Sequence, residues 1–179
     1  FLDCVVALGL DSSEGKRKWS ASGFLYGRFK RQDSKGEKWY SVFLVTNRHV
    51  FEGEKVAYVR FNPIAAQPAK EYTLPLEDSG GIIWRAHPDP DVDVAVCPIL
   101  VKKLHDEGMQ FAYFRNDVEA AHLKKASELG ITEGDFVYVR GFPMGMIGGD
   151  RNFVIARKGS IARIRDAFTG ATKEFLVDA

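Results

Sequence analysis

The first hundred residues consist of short apolar or alternating runs separated by turn residues, and this pattern sets the fold class. Val, Ile, Phe, Tyr and Trp dominate the runs, while Gly, Asp and Ser fill the segments between them. Short strands at this spacing are typical of a closed β-barrel or a β-sandwich. The pattern predicts strands over 4–10, 22–29, 40–46, 55–61, 71–76, 82–86 and 94–99.

A connector of different composition follows over 101–130, rich in Lys, Glu, Ala and Leu and poor in β-branched residues. Asn116 with Glu119 three positions later has the spacing of a capping box, and apolar residues then recur at helical spacing. Gly130 stands where a C-terminal cap is expected. The connector therefore predicts one helix over 117–129.

After the connector the strand pattern resumes, with predicted strands over 136–140, 153–158, 160–165 and 174–177. These are fewer than the roughly six to eight strands that close a small barrel. We therefore expect a first β unit over 1–100 and a second, incomplete unit over 131–179.

Charge and cysteine content narrow the class of partners and ligands. Lys and Arg total 25 against 24 Asp and Glu, a net charge of +1, so no nucleic-acid partner is implied. No apolar stretch approaches the roughly 18–20 residues that span a bilayer.

Cys4 and Cys97 lie in apolar runs and are expected to be buried free thiols, with a single disulfide as the alternative. The composition is typical of a soluble protein and leaves its compartment and oligomeric state open. Because Phe1 rather than Met comes first, we expect a processed or trimmed start.

A histidine and an aspartate stand at the ends of two apolar runs. His49 follows the run 42–45, and a histidine whose ring is held by a partner can act as a general base near neutral pH. Asp93 directly precedes the run 94–96, where a carboxylate could orient an imidazole. The alternatives are a histidine that merely ends a strand and an aspartate in a solvated turn, since Pro88 and Pro90 lie just upstream.

Three segments, in this order, resemble the chymotrypsin/trypsin-like serine peptidase family, in particular its bacterial type. They are Ser22-Gly23-Phe24-Leu25, Leu44-Val45-Thr46-Asn47-Arg48-His49-Val50 and Asp93-Val94-Ala95-Val96. In that family the second segment carries the catalytic histidine and the third the aspartate. The resemblance thus implies that His49 is the general base and that Asp93, rather than Asp91, is its orienting carboxylate.

The family fold implied by the resemblance is all-β, with two antiparallel six-stranded-type barrels and the active site in the cleft between them. Gly134-Asp135-Phe136-Val137, Gly141-Phe142-Pro143 and Gly159-Ser160-Ile161 are similar to the opening strands of the second barrel. The second barrel is expected to be incomplete in this chain, and the connector to hold its one helix.

The family nucleophile is a serine in a Gly-x-Ser-Gly-Gly type of loop, and this sequence has no such loop. The serines that lack this context are Ser12, Ser13, Ser20, Ser22, Ser34, Ser41, Ser79, Ser127 and Ser160. Ser160 follows a glycine but leads into a predicted framework strand. We therefore expect the nucleophile beyond residue 179, a polypeptide substrate for the parent protein, and no activity for this chain alone.

Two other functions stay open at this point. One is an inactive trypsin-like pseudopeptidase that binds peptides or regulates a partner, and the other is a β-rich interaction domain in which His49 and Asp93 lie far apart. No cofactor or metal is implied: Asp89, Asp91 and Asp93 alternate as in a calcium loop but lack its glycine and glutamate. The glycine-rich stretch 141–149 lacks the Gly-Lys-Ser/Thr ending of a P-loop.

Overall fold

The computed structural model describes residues 1–12 and 14–179; Ser13, one of the serines considered above, lies outside this range. The described chain is mostly β, with 43% strand and 15% helix, so the predicted all-β class is confirmed. The longer strands are β1 (Val5–Asp11), β2 (Arg17–Gln32), β3 (Lys38–Thr46), β4 (Val56–Phe61), β5 (Lys70–Pro75), β9 (Ala95–Pro98), β11 (Phe136–Gly141) and β12 (Ile155–Arg163). The shorter strands are β6 (Glu77–Asp78), β7 (Gly81–Ile82), β8 (Arg85–Ala86), β10 (Phe114–Arg115) and β13 (Leu176–Asp178). The helices are α1 (Arg48–Phe51), α2 (Val101–Asp106), α3 (Leu123–Glu128) and α4 (Arg165–Phe168).

The largest sheet has the strand order β5-β4-β1-β2-β3-β9-β8, with antiparallel pairing along this path and β10 joined in parallel to β2. It curls into a half-barrel. Because successive side chains of a strand point to opposite faces, alternate residues of β3 are buried. The apolar core of this sheet includes Leu8, Leu25, Leu44, Phe51, Val59, Ala95 and Cys97. Both cysteines are free and buried, as expected, and burial raises the pKa of the Cys97 thiol to about 11.

Strand β2 is twice as long as the predicted run 22–29. Its register shifts opposite Leu8/Gly9 of β1 and again between Phe29 and Arg31, and such bulges increase the local twist and bend of a strand. The additional residues at both ends are mainly polar and are held by pairing with β1 and β3. Apolar periodicity therefore does not reveal them.

A second, three-stranded antiparallel sheet has the order β11-β12-β13. The prediction of two separate strands over 153–158 and 160–165 is wrong, because β12 runs through Gly159 without a turn. A Cβ at Gly159 would lie 2.1 Å from the carbonyl oxygen of Asp178 in β13. The glycine permits close approach of the neighbouring strand rather than a chain reversal. The division of the chain into two barrels stays a prediction.

The single predicted helix over 117–129 is also wrong, because the connector holds two helices of six residues, α2 and α3. The side-chain oxygen of Asn116 accepts from the backbone N–H of Phe29 at 2.7 Å instead of capping a helix. Asp117 is tied to Lys38 of β3, so the predicted first turn is held against the large sheet. Helix α3 begins later, after His122, whose ring nitrogen Nδ1 accepts from the backbone N–H of Lys125.

The C-terminal cap at Gly130 is confirmed. Gly130 has φ +71°, its N–H donates to Ser127, and the N–H of Ile131 donates to Ala126. This is the hydrogen-bond pattern of a Schellman motif, in which glycine avoids the strain of a left-handed residue. Within the described ranges, no helix is long and apolar enough to cross a membrane.

The loop 149–152, between β11 and β12, is bonded to the β4 to β5 region and is called the latch below. Arg151 donates through Nη1 to the carbonyl oxygens of Ala65 and Gln67 and through Nη2 to that of Pro63, at 2.7–2.8 Å. Asn152 exchanges hydrogen bonds with Asn62 and donates to the carbonyl oxygen of Arg60. The buried Arg60 in turn donates to the carbonyl oxygen of Gly149. The latch therefore fastens the smaller sheet to the half-barrel.

Replacing Arg151 by lysine keeps the charge but removes the planar set of donors that reaches three carbonyl groups. We expect Arg151→Lys to lower the free energy of unfolding by about 2 kcal/mol, the scale of hydrogen bonds made by a charged group. Urea denaturation measures the change. The matched control is Arg157→Lys, because Arg157 is exposed and its side chain makes no hydrogen bond within the described residues. Equal losses in the two variants would contradict the role of the latch.

Glu133 holds the start of α4 to the segment before β11. Its Oε1 accepts from the backbone N–H groups of Ile164 and Arg165, both at 2.9 Å, and its Oε2 pairs with the Arg165 side chain. These bonds favour the ionised carboxylate and lower the pKa of Glu133 to about 2, with the Ile164 N–H as the largest cause.

Because the folded-state pKa of Glu133 lies below the usual value of 4.5, its ionised form stabilises the fold above that pH. This contribution is lost as the pH falls toward about 2. We expect Glu133→Gln to lower the melting temperature at neutral pH and the two melting curves to converge between these limits. Calorimetry across this range measures the difference. Glu54→Gln is the control, since the Glu54 carboxylate makes no hydrogen bond or ion pair within the described residues. A constant difference at all pH values would contradict the assignment.

Candidate active site

His49 is presented on a one-turn helix at the end of a central strand. Strand β3 ends at Thr46, and α1 begins two residues later. The following residues of this helix, Val50 and Phe51, are buried in the core. Because these two side chains hold the turn against the core, the His49 side chain faces outward and is 68% exposed.

Asp93 binds His49 through both carboxylate oxygens. Its Oδ2 lies 2.6 Å from the ring nitrogen Nδ1 of His49, and its Oδ1 accepts from the His49 backbone N–H at 3.0 Å. Two bonds from one residue fix the carboxylate in both position and plane. The structure thus brings together the two residues that the sequence analysis selected, and their contact contradicts the alternative in which they lie far apart.

The protonation of this pair follows from its hydrogen bonds. The His49 backbone N–H, and then its ring, lower the pKa of the Asp93 carboxyl below the usual value. Asp93 is therefore ionised at neutral pH and can only accept hydrogen bonds, so Nδ1 of His49 carries the ring proton. The lone pair of the neutral imidazole is left on Nε2, the nitrogen that faces away from Asp93. A ring in this tautomer can take a proton from a nucleophile on its outer side.

Further bonds join the residues before His49 to the loop before β9. The amide of Asn47 donates to the carbonyl oxygen of Asp93 at 3.0 Å, and Arg48 donates to that of Pro90 at 2.9 Å. Strand pairing also aligns Thr46 with Ala95. No role of Asn47 or Arg48 was predicted from the sequence. Their place beside His49, with donor side chains in a turn, is the signal that could have identified them as positioning residues.

The neighbouring aspartates, Asp89 and Asp91, are not hydrogen-bonded to the His49 ring. Asp89 accepts from the backbone N–H of Asp91 and forms an ion pair with Lys173. The Asp91 side chain makes no hydrogen bond to the His49 ring. Across residues 1–12 and 14–179, no three His, Cys, Asp or Glu side chains converge in a way that could hold a metal ion.

A pocket of about 470 Å³ lies beside the pair, between the half-barrel and the three-stranded sheet. Its walls come from the N-terminal segment, β1 to β3, β10 and β11, and include Phe1, Ser22, Phe24, Asn47, Val94, Phe114, Tyr138 and Arg140. Gly23 also lines it, and a Cβ at this position would lie 2.9 Å from the carbonyl oxygen of Val45. The pocket is mostly apolar and opens next to the strand end that presents His49.

No serine of the described chain is hydrogen-bonded to the ring of His49. The Ser22 hydroxyl, which lines the pocket, accepts from the backbone N–H of Phe142 at 2.8 Å. Ser160 lies inside β12, where it pairs with Phe136 and Asp178, as expected for a framework residue. The described residues therefore pair an imidazole with a carboxylate, and none of their serine hydroxyls is bonded to that ring.

Comparison with protein-family models gives no match, and no curated protein sequence matches this chain significantly.

Replacing Asp93 by asparagine tests the tautomer. An amide can donate as well as accept, so Asp93→Asn removes the requirement that Nδ1 carry the proton. At about pH 9, where a free imidazole is neutral, we expect wild-type His49 to be protonated on Nδ1 and the variant to shift toward Nε2. Long-range ¹H–¹⁵N NMR spectra distinguish these forms. Asp91→Asn should leave the spectrum of His49 unchanged, and an equal shift in that control would refute the assignment.

Proposed function

We propose that this chain is the histidine- and aspartate-bearing part of a serine endopeptidase of the chymotrypsin/trypsin-like family. The observation that carries the proposal is the bond of 2.6 Å between Nδ1 of His49 and Oδ2 of Asp93, which leaves Nε2 free toward the outside. Support also comes from the order of the three motifs along the chain. Polypeptide is the proposed substrate, with no cofactor or metal in the reaction.

The reaction proposed is acyl transfer to a serine that lies outside residues 1–179. Nε2 of His49 takes the proton as the serine oxygen bonds to the peptide carbonyl carbon, and Asp93 stabilises the resulting imidazolium. His49 then gives this proton to the departing amine as the peptide C–N bond breaks. Water then attacks the acyl carbonyl carbon in place of serine, and His49 takes the proton of the water. The acyl–oxygen bond breaks, and His49 returns a proton to the serine oxygen.

Two antiparallel barrels are proposed for the whole enzyme, with the substrate in the cleft between them. The curled half-barrel and the separate β11-β12-β13 sheet support this arrangement, since the pocket near His49 lies between them. A substrate chain in this cleft would pass the exposed ring of His49. Arg140 and Tyr138 of β11 would then contact the substrate from the side of the second barrel.

The experiment uses the complete product of the gene that encodes this chain, alongside the chain itself. A fluorophosphonate probe, which reacts with activated serines, and a mixed peptide library serve as the two assays. We expect labelling and cleavage by the gene product but not by residues 1–179 alone. His49→Ala and Asp93→Ala should each reduce kcat/KM by about 10⁴-fold, the scale of losing one member of a triad.

The matched controls are His105→Ala and Asp91→Ala. His105 is an exposed histidine beside an aspartate, Asp106, on α2, and Asp91 is two residues from the proposed orienting carboxylate. Both control variants should retain activity. A gene product that binds peptides with no labelling or cleavage would replace the proposal with a pseudopeptidase, and activity independent of His49 would refute both.

A further inference from the structure

A second cavity, of about 360 Å³, lies where the two ends of the half-barrel sheet face each other. Strands β4 and β5 form one wall, and β9 with the start of α2 forms the other. Its lining is almost wholly apolar and includes Val59, Phe61, Leu74, Cys97, Ile99 and Leu104. The volume falls within the range of about 300–1,000 Å³ that is usual for small-molecule sites.

The interior of this cavity offers no charge to a ligand. Cys97 is fully buried there, and burial raises the pKa of its thiol to about 11, so the sulfur is neutral. Most of the other lining residues are hydrocarbon side chains; Thr73 and Tyr72 add hydroxyl groups, and that of Tyr72 is already engaged by Glu107. A polar group carried into this space would lose its hydrogen bonds to water without replacement. The part of a ligand that enters must therefore be apolar.

A single unpaired cation stands among the lining residues. Lys103 of α2 lines the cavity, with Nζ 5.6 Å from the ring centroid of Tyr72, and no carboxylate of the described chain lies within ion-pair distance of it. The nearby Glu107 is already engaged by Lys70 and by the Tyr72 hydroxyl. Leu100, which also lines the cavity, is 82% exposed. The opening thus combines a free ammonium group with exposed apolar surface.

We propose that this cavity binds one medium-chain fatty carboxylate as a monomer, with its alkyl chain between β4, β5 and β9 and its carboxylate at Lys103. The apolar interior matches the chain, and the ammonium group matches the head. This site is independent of the His49–Asp93 pair and does not depend on the proposed peptidase activity.

In the test, this chain is titrated with octanoate, decanoate and dodecanoate, each below its critical micelle concentration. Calorimetry measures the affinity, and ¹H–¹⁵N NMR locates the site. Each added methylene that enters the cavity should tighten binding by about fourfold, so each step of two should give roughly 15-fold. The amide signals of Leu74, Ile99 and Leu104 should shift on binding. Lys103→Gln should weaken dodecanoate binding by roughly 3- to 10-fold, the scale of one partly exposed charge contact.

Lys102→Gln is the matched control, because Lys102 is the preceding residue, is exposed and pairs with Asp106 instead. Its affinity for dodecanoate should equal that of the wild type. Equal weakening in both variants, affinity that does not rise with chain length, or shifts confined to the pocket near Tyr138 would each overturn the proposal. Binding to anionic vesicles without binding to the monomer would also overturn it, since the surface would then be a membrane contact.

Discussion

The antiparallel pairing of β3 with β9 is the constraint on which the candidate site depends. It aligns Thr46 with Ala95 and so brings two turns together that are separated by more than forty residues in the chain. His49 follows the end of one strand, and Asp93 precedes the start of the other. The buried residues after His49 anchor its helix in the core, and the His49 side chain is left on the outer surface. The short bond between imidazole and carboxylate is thus a consequence of sheet register and core packing together.

Much of the half-barrel is predictable from the sequence because its strands bury one face and expose the other. The runs around Leu44 and Val59 are rich in Val, Phe and Tyr, the residue types typical of strands that pack against a core. The choice of Asp93 over Asp91 has a different basis: the segment Asp93-Val94-Ala95-Val96 resembles the aspartate motif of chymotrypsin/trypsin-like peptidases, and Pro90 interrupts the chain before Asp91. Asp91, two residues earlier, remains in the turn. Sequence motifs and strand boundaries therefore carry information about the same pair of residues.

The remaining features depend on partners that are distant in the sequence. Asn116 has the spacing of a helix cap, but its oxygen is used by Phe29, 87 residues away. Gly159 is a residue type typical of turns, yet it lies within strand β12. A glycine is needed there because β13 approaches closely. In both cases the local preference is real, and a tertiary contact overrides it. The roles of Asn47 and Arg48 are hidden for the same reason, since their acceptors belong to the loop before β9.

The chemistry of the latch has a consequence for how this protein tolerates change. Arg151 takes all three of its acceptors from main-chain carbonyl groups, at Pro63, Ala65 and Gln67. A main-chain carbonyl group is the same whatever side chain it carries. Side chains at Pro63, Ala65 and Gln67 can therefore change without removing these acceptors, while an insertion or deletion there would displace them. Asn62, earlier in the same turn, is the exception, because its side chain bonds to Asn152. At these three positions the length of the turn, rather than the identity of its side chains, keeps the smaller sheet fastened to the half-barrel.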